Sequence, residues 1–234
     1  MPNLCNEKAL TDNMNRPDCK ISEQSIILNF RDVSRGISAI KPNTVFRTSS
    51  LTEYQDDNTA LNELRKIGIR TVIDLRAERE VQMNPYSDSF QSEFDCINIP
   101  LDPWSQPEWF VAETSTIYCD LSNAEKAYYF FIKCCQNQIK IIFEFIANTE
   151  DSTAIHCVAG KDRAGLIIIL IGMLLGSNYK ELLADYLESE QDTDENKFRI
   201  FYDYVVDVGG IHKYLYHCGI SKDIISNLKL KLAK

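Results

Sequence analysis

The chain has 234 residues, of which 44% are hydrophobic and 25% are charged, a composition typical of a globular protein with one sizeable core. Its formal net charge of -9 at pH 7 leaves no basic surplus to neutralise a phosphate backbone, which argues against a general nucleic-acid-binding protein. A small phosphate pocket stays compatible with this charge, because the local field decides binding there.

The eight cysteines and three histidines form neither a CxxC pair nor a zinc-binding pattern. Scattered cysteines in a domain of this size favour reduced, mostly buried thiols and an intracellular setting. The first residues lack a signal-peptide pattern, and the longest apolar run, 164–176, is too short to span a bilayer. We therefore expect a cytoplasmic protein with no integral membrane segment, no metal and no cofactor. Secretion without a signal peptide and the oligomeric state stay open.

The first residues, 1–23, are polar and contain scattered Asn, Asp and Pro. They predict a loosely ordered N-terminal arm before a single domain over 24–234. Short strands are predicted at 26–30 and 45–47, near the start of the core.

The next segment alternates between helical and strand patterns. Apolar spacing over 57–67, with Gly68 at the position of a C-terminal cap, predicts a helix. The β-branched residues of 69–75 predict a buried strand, and 95–101 predicts a second strand.

The segment 102–121 contains both tryptophans and two prolines, without a clear period. Two interpretations stay open for it, a helical lid over a site and an ordered connection. Ser122 and Glu125 form a capping-box pattern, after which apolar residues mark one face of a long helix reaching residue 146.

The last part of the chain begins with a predicted strand at 153–157 and a nearly all-apolar helix at 163–175. Three or four shorter helices are predicted over 179–232. Strands followed by helices indicate an α/β fold, with helices packed on a sheet.

The stretch IHCVAGKDRAG at 155–165 lies between that strand and that helix. Backbone N–H groups and the positive end of the helix dipole favour an anion in such a loop. Gly160 permits a left-handed or crowded backbone. A nucleotide-binding loop is excluded, because Asp162 replaces its Ser/Thr and Ile155 replaces its first glycine.

The spacing of Cys157 and Arg163 fits phosphate-ester chemistry. Arg163 can hold two phosphate oxygens with its planar guanidinium, while the loop favours the thiolate of Cys157. Attack on phosphorus gives a phosphocysteine that water hydrolyses, and this reaction needs no metal. We expect the loop residues between and beside them to contact the phosphate, namely Val158, Ala159, Gly160, Lys161 and Ala164.

This stretch resembles the HC-x5-R loop of the protein tyrosine phosphatase superfamily, and AGKDRAG resembles the AGKDRTG variant of its atypical bacterial and fungal branch. Further elements are similar to that branch in the same order: NFRD at 29–32, FRTSSL at 46–51, GIRTVIDLRAERE at 68–80, ADYLES at 184–189 and GGIHKYLYHCGIS at 209–221. The resemblance implies a cysteine phosphatase-like α/β fold, with a mostly parallel central sheet, helices on both faces and a candidate helical lid.

The resemblance also implies a general acid inside the loop, Asp162. Asp102, in PLDPW, is the alternative, since other members of the superfamily use an Asp on a separate loop. The acid has to reach the ester oxygen, and Arg163 beside Asp162 favours the ionised carboxylate. We therefore expect an acidic optimum, with activity falling from about pH 5 to 8.

One departure from the branch concerns Ala164, where the family usually has Thr or Ser. The family implies that this hydroxyl donates a hydrogen bond to the cysteine sulfur and stabilises the thiolate as leaving group. We expect slow breakdown of the phosphoenzyme here.

For several polar side chains a purely structural role competes with a role in the site. We expect His156 to brace the loop without acting as a base, and Asp74 with Arg76 to be structural. Arg31 and Asp32 are open between a structural ion pair and a place in the site.

The substrate implied by the resemblance is a phosphotyrosine protein, with phosphoserine, phosphothreonine or a phosphoinositide as alternatives. Lys161 adds a second cation, which suits a ligand with extra negative charge. The competing hypothesis is a phosphate- or phosphoinositide-binding module with little or no turnover.

Overall fold

A computed structural model describes residues 25–189 and 193–234, so the predicted arm at 1–23 lies outside the described residues. The strands and helices follow in this order: β1 Arg31–Asp32, β2 Val45–Thr48, α1 Asn58–Ile67, β3 Ile69–Asp74, α2 Glu78–Met83, α3 Asp88–Glu93, β4 Asp95–Asn98, α4 Glu108–Thr116, α5 Asn123–Cys134, α6 Gln136–Asn148, β5 Ser152–His156, α7 Asp162–Leu174, α8 Tyr179–Leu187, α9 Glu195–Asp207, α10 Ile211–His217 and α11 Lys222–Leu232.

The described strands form a 5-stranded sheet in the order β1-β2-β5-β3-β4. β1 is antiparallel to β2, and every other pair is parallel, which confirms the mostly parallel sheet. His156 is in register with Thr48 on one side and Asp74 on the other. The central strands therefore end at one level, and the loop after β5 lies at the carboxyl edge, where open α/β sheets bind ligands.

Helices cover both faces of the sheet, as predicted. Alternate strand residues point to opposite cores, with Val45, Ile73 and Ile155 in the larger core and Phe46, Val72 and Ala154 in the smaller one. Helices α1 and α3 contribute to the smaller core, and α5 to α11 to the larger. After Asp162 and Arg163, α7 is entirely apolar and is buried along nearly its whole length in the larger core.

Two elements differ from the sequence prediction. The strand predicted at 26–30 is wrong, because those residues form a turn in which Asn29 has a φ of 57°. The long helix predicted up to residue 146 is two helices, which are broken at Cys135 with φ -93° and ψ 27°. Both helices pack on the larger core, so their apolar spacing continues through the break and hides it.

The 102–121 segment, which we call the lid segment, contains α4. This helix buries Phe110 and Thr114, while Trp109 and Val111 are exposed. The capping box at Ser122 and Glu125 and the C-terminal cap at Gly68 are formed as predicted. Over 25–189 and 193–234, every helix is too short or too polar to cross a membrane.

Candidate active site

The candidate site begins where β5 ends at His156 and closes where α7 begins at Asp162. Gly160 is the tightest point of this loop, with a φ of +69° and no room for a side chain. A Cβ atom there would lie 2.1 Å from the carbonyl oxygen of Thr48. Because that oxygen belongs to the backbone of β2, any residue other than glycine forces the loop and the strand apart.

Each backbone carbonyl from His156 to Lys161 accepts a hydrogen bond. Backbone N–H groups donate to two of these carbonyls, Leu75 N to His156 O and Ser50 N to Val158 O, each at 2.8 Å. Side chains donate to the other four: His156 Nδ1 to Cys157 O at 2.8 Å, Asn29 Nδ2 to Ala159 O at 2.8 Å, and Arg47 Nη2 to Gly160 O at 2.9 Å and to Lys161 O at 3.1 Å. In a trans peptide the N–H points away from the C=O, so the following N–H groups face away from these donors. Together with the N-terminus of α7, they form a cradle for an anion.

Arg163 is held by a partly buried carboxylate, that of Glu80. Its Nη1 lies 2.6 Å from Glu80 Oε2 and its Nη2 lies 3.0 Å from Glu80 Oε1, a bidentate pair. Burial lowers the pKa of Arg163, but the hydrogen bonds to Glu80 and the nearby Cys157 outweigh it and raise the pKa. Cys157 is 3% exposed and lies close enough to Arg163 and to the buried Arg47 to act electrostatically on both guanidinium groups.

Residues 23–207 match the model of the tyrosine phosphatase family. The chain belongs to this family. Its members are cysteine-dependent enzymes, and the loop described above contains Cys157 and ends at the helix that carries Arg163.

Two curated relatives support the assignment. The triple specificity protein phosphatase PtpB of Mycobacterium tuberculosis is 26% identical over 198 residues, which is 74% of this chain and 70% of PtpB. A tyrosine-protein phosphatase of Nostoc commune is 30% identical over 166 residues, which is 68% of this chain and 54% of that protein. Among solved structures, P. aeruginosa TpbA is 12% identical with a TM-score of 0.41, covering 81% of this chain and 96% of TpbA.

In this phosphatase Arg47 links the cradle to α8. Its side chain is fully buried, and its Nη1 lies 3.0 Å from Asp185 Oδ2. Arg31 approaches the other oxygen of Asp185 at 3.4 Å. Asp32 accepts hydrogen bonds from the backbone N–H groups of Ser34 and Asn43. Arg31 and Asp32 therefore support the fold around the cradle and do not line it.

His156 lies behind the loop and is fully buried. Burial lowers its pKa, which favours the neutral ring. Its Nδ1 lies 2.8 Å from Cys157 O and its Nε2 lies 2.9 Å from Tyr86 Oη. Since a carbonyl only accepts, Nδ1 carries the proton and Nε2 accepts from Tyr86. Asp74 and Arg76 form a buried ion pair with N···O at 2.7 Å, next to this ring.

The two candidate acids lie in different settings. Asp162 opens α7 with its side chain 34% exposed, and Lys161 Nζ lies 4.0 Å from its Oδ2. Tyr128 donates a hydrogen bond to its Oδ1. Asp102 accepts from Trp104 N at 3.0 Å and from Ser105 Oγ at 2.7 Å, so its carboxylate is bound to its own turn.

The remaining predicted contact residues lie around the loop. Lys161 is 8% exposed, Val158 is 48% exposed, and Ala164 is fully buried. Across 25–189 and 193–234, no three His, Cys, Asp or Glu side chains are grouped to hold a metal. That the reaction proceeds without a metal stays a prediction.

Four residues of the site had no assigned role in the sequence: Glu80, Arg47, Asp185 and Tyr128. The first three stand in the stretches DLRAERE, FRTSSL and ADYLES, whose resemblance to the family marked them without showing which partner each one binds. Tyr128 carried no signal, because it falls on the apolar face of a predicted helix and looks like a core residue.

Proposed function

We propose that this phosphatase hydrolyses phosphomonoesters through a phosphocysteine intermediate, without a metal, and prefers phosphotyrosine in proteins. The observation that carries the proposal is the cradle around Cys157, in which each carbonyl is bonded outward and Arg163 is locked in position by Glu80. Such preorganised donors stabilise the charge that develops on a transferring phosphoryl group.

The reaction has two steps. The Cys157 thiolate attacks phosphorus, the bond to the ester oxygen breaks, and Asp162 gives its proton to that leaving oxygen. The Asp162 carboxylate then takes a proton from water, which attacks the phosphocysteine. The bond from phosphorus to sulfur breaks, inorganic phosphate leaves, and the thiolate and the protonated Asp162 are restored.

Asp162 is the better candidate for the acid. It adjoins Arg163 and is partly exposed, so it can exchange a proton with solvent. Both oxygens of Asp102 are engaged by its own turn. We expect Asp162→Asn to slow hydrolysis of aryl phosphates with poor leaving groups much more than those with good ones. Asp102→Asn is the matched control and should affect both kinds about equally; the opposite result would make Asp102 the acid.

The surroundings favour a protein substrate over a phosphoinositide. A cavity of about 460 Å³ at the lid segment borders Cys135, on which Arg163 acts electrostatically, and Lys133, which is paired with Glu113. It is also lined by two carboxylates, Glu78 and Asp102, together with Trp109 and Phe130. These groups repel additional phosphates and suit a peptide flanking a phosphorylated residue. Lys161, the cation that suits a more highly charged ligand, lies near Asp162, which offsets part of its charge.

The test is phosphate release between about pH 5 and 7.5 with a metal chelator present, with Cys157→Ser as control. Substrates are peptides with phosphotyrosine, phosphoserine or phosphothreonine, and vesicles containing phosphoinositides. We expect the phosphotyrosine peptide to be hydrolysed fastest, the mutant to be inactive, and acid quenching to trap a phosphoenzyme. Faster release from the vesicles would overturn the substrate, and dependence on a metal would overturn the mechanism.

A phosphate-binding module is the second candidate, favoured by the missing hydroxyl at Ala164. It predicts that phosphate analogues bind, whereas the wild-type protein and Cys157→Ser both release no phosphate.

The cellular compartment in which the protein acts is inferred from its thiols, which are all free in the described part of the chain. They support a cytoplasmic enzyme, and fractionation of the host cell tests this.

A further inference from the structure

Asp162 is at the end of a chain of hydroxyl groups that runs into the core. Tyr128 of α5 donates to Asp162 Oδ1, and its Oη lies 2.8 Å from the Oη of Tyr186 on α8. Tyr128 is 4% exposed and Tyr186 is 0% exposed. Such buried hydroxyls are costly unless they are bonded, so this chain is a built part of the site.

Packing fixes both rings. Tyr128 stacks on Phe201 with ring centroids 4.7 Å apart and an interplanar angle of 14°. Tyr186 lies so close to α7 that a Cβ atom on Gly165 would be 3.1 Å from its ring. Neither hydroxyl can therefore leave its hydrogen-bond partner, Asp162 for Tyr128 and Tyr128 for Tyr186, by a small rotation of its side chain.

The direction of the hydrogen bonds follows from their chemistry. Burial, reinforced by the nearby Asp162, raises the pKa of Tyr128, and burial raises the pKa of Tyr186, so both phenols keep their protons. A carboxylate only accepts, so the Tyr128 proton lies toward Asp162. Tyr186 must then donate to the oxygen of Tyr128.

We propose that Tyr128 is the positioning residue of the general acid, and that it makes Oδ2 of Asp162 the oxygen that gives and takes the proton. Oδ1 is engaged as an acceptor, whereas Oδ2 lies on the side of Lys161, 4.0 Å from Nζ. The proposal rests on the function proposed above and adds to it which oxygen acts and what holds it.

The charges around Asp162 define the expected pH effect. Lys161 and Arg163 face it from its own loop and helix, Tyr128 faces it from α5, and Tyr186 from α8. Asp194 and Arg47 act on Tyr186 with opposite signs. A hydrogen bond from Tyr128 stabilises the carboxylate more than the acid, so its loss makes Asp162 easier to protonate.

The experiment compares three Tyr→Phe variants through the pH profile of kcat/KM on a phosphotyrosine peptide. Tyr128→Phe should move the alkaline limb up by about one pH unit, and Tyr186→Phe should move it less, in the same direction. Tyr129→Phe is the matched control, because Tyr129 is the next residue of α5 and stacks on Tyr118 at 4.5 Å. We expect its profile to match the wild type.

Placing Tyr128→Phe in an Asp162→Asn background separates positioning from general damage. We expect Tyr128→Phe to cause no further change in the pH profile of the double variant, because the effect of Tyr128 passes through Asp162. An unshifted limb in Tyr128→Phe, or an equal change in kcat/KM with and without Asp162, overturns the inference.

Failure of the proposed function has a different signature, since the wild type would then release no phosphate or Cys157→Ser would be as active as the wild type. Should Tyr128→Phe not fold, Tyr186→Phe decides, because it keeps Tyr128 and weakens only its support. An unshifted limb in that variant then overturns the inference.

Discussion

The loop between β5 and α7 and the lid segment lie at the same edge of the sheet but are held in different ways. In the loop each carbonyl from His156 to Lys161 is bonded, and Arg163 is 8% exposed. In the lid segment Trp104 and Trp109 are each 54% exposed, and Asp102 binds its own turn. Apart from the buried Phe110 and Thr114 of α4, the lid segment is held by surface contacts such as that of the Arg79 guanidinium, 3.1 Å over the Trp104 ring.

This difference suggests separate roles, with the loop suited to the chemical step and the lid segment to substrate entry. Stabilising a transition state requires donors that do not move, and the loop meets this need with buried bonds to surrounding elements. A segment with more exposed contacts opens at lower cost, so we expect the lid segment, if it covers the site, to adapt to different substrates. Mutations should therefore cost far more activity in the loop than in the lid segment.

Gly160→Ala should have the largest effect. The added Cβ meets the backbone at 2.1 Å, which displaces the cradle, and we expect kcat/KM to fall by about 100-fold or more. Gly176→Ala is the matched control, because Gly176 also has a positive φ of +84° but nothing within 4 Å of its Cβ. It should lose about 1 kcal/mol of stability and keep its activity. A Gly160→Ala variant with near-normal kinetics would show that the cradle tolerates movement.

Glu80→Gln should come next. It removes the negative charge that holds both Nη1 and Nη2 of Arg163, and we expect kcat/KM to fall by about tenfold or more. Glu93→Gln is the control, since Glu93 also forms a bidentate pair, with Arg65, but on the surface. Equal losses in steady-state kinetics would mean that Arg163 needs no lock.

Ala164→Thr should raise kcat. A hydroxyl beside the Cys157 sulfur stabilises the leaving thiolate, and one hydrogen bond to a charged group corresponds to about one decade of rate. Rapid-quench measurements should show faster breakdown of the phosphoenzyme. Ala164→Val has the same shape without the hydroxyl and should show no gain at this buried position. A gain in both variants, or in neither, contradicts the role of the hydroxyl.

His156 should give the loop a pH-dependent stability. Because burial lowers its pKa in the folded state, the unfolded chain binds a proton that the folded protein excludes. The free energy of unfolding should therefore fall as pH drops below about 6.5, by up to about 1.4 kcal/mol per unit. Urea denaturation should show a flatter pH dependence in His156→Asn. An unchanged slope would indicate that other groups dominate.

Arg79→Ala should have the smallest effect. It removes the contact with Trp104 on the exposed lid segment, which is worth about 0.5–1 kcal/mol of stability. We expect kcat/KM to stay within about twofold, and Arg79→Lys to recover part of the stability. A loss of activity as large as that of Glu80→Gln would mean that the lid segment is part of the rigid chemistry.

The predictions that the structure confirms concern features set by residues close together in the sequence. The buried strand β3, the capping box at Ser122 and the cap at Gly68 each follow from a local pattern. The strand–loop–helix around Cys157 was predicted in the same way. The turn at 26–30 was missed, because its apolar residues enter the smaller core from a turn.

The anchors of the cradle could not be derived from local patterns. Arg47 reaches Asp185, 138 positions along the chain, and Arg163 reaches Glu80, 83 positions away. Tyr128 looked like any aromatic core residue until the fold placed its hydroxyl beside Asp162. Such pairings depend on how the elements pack, and one sequence does not specify that packing by periodicity.

The long-range anchors also determine when the cradle around Cys157 is completed during translation. Asn29 and Asp185, which help to hold the loop directly or through Arg47, stand far apart on either side of Cys157 in the sequence. A nascent chain exposes the thiol before α8 has been synthesised, and at that stage the cradle lacks one of its supports. Domains fold as units once their sequence has emerged. In the function proposed above, the growing polypeptide therefore carries its nucleophile before the cradle around it is complete, and the C-terminal helices complete the cradle when they close the domain.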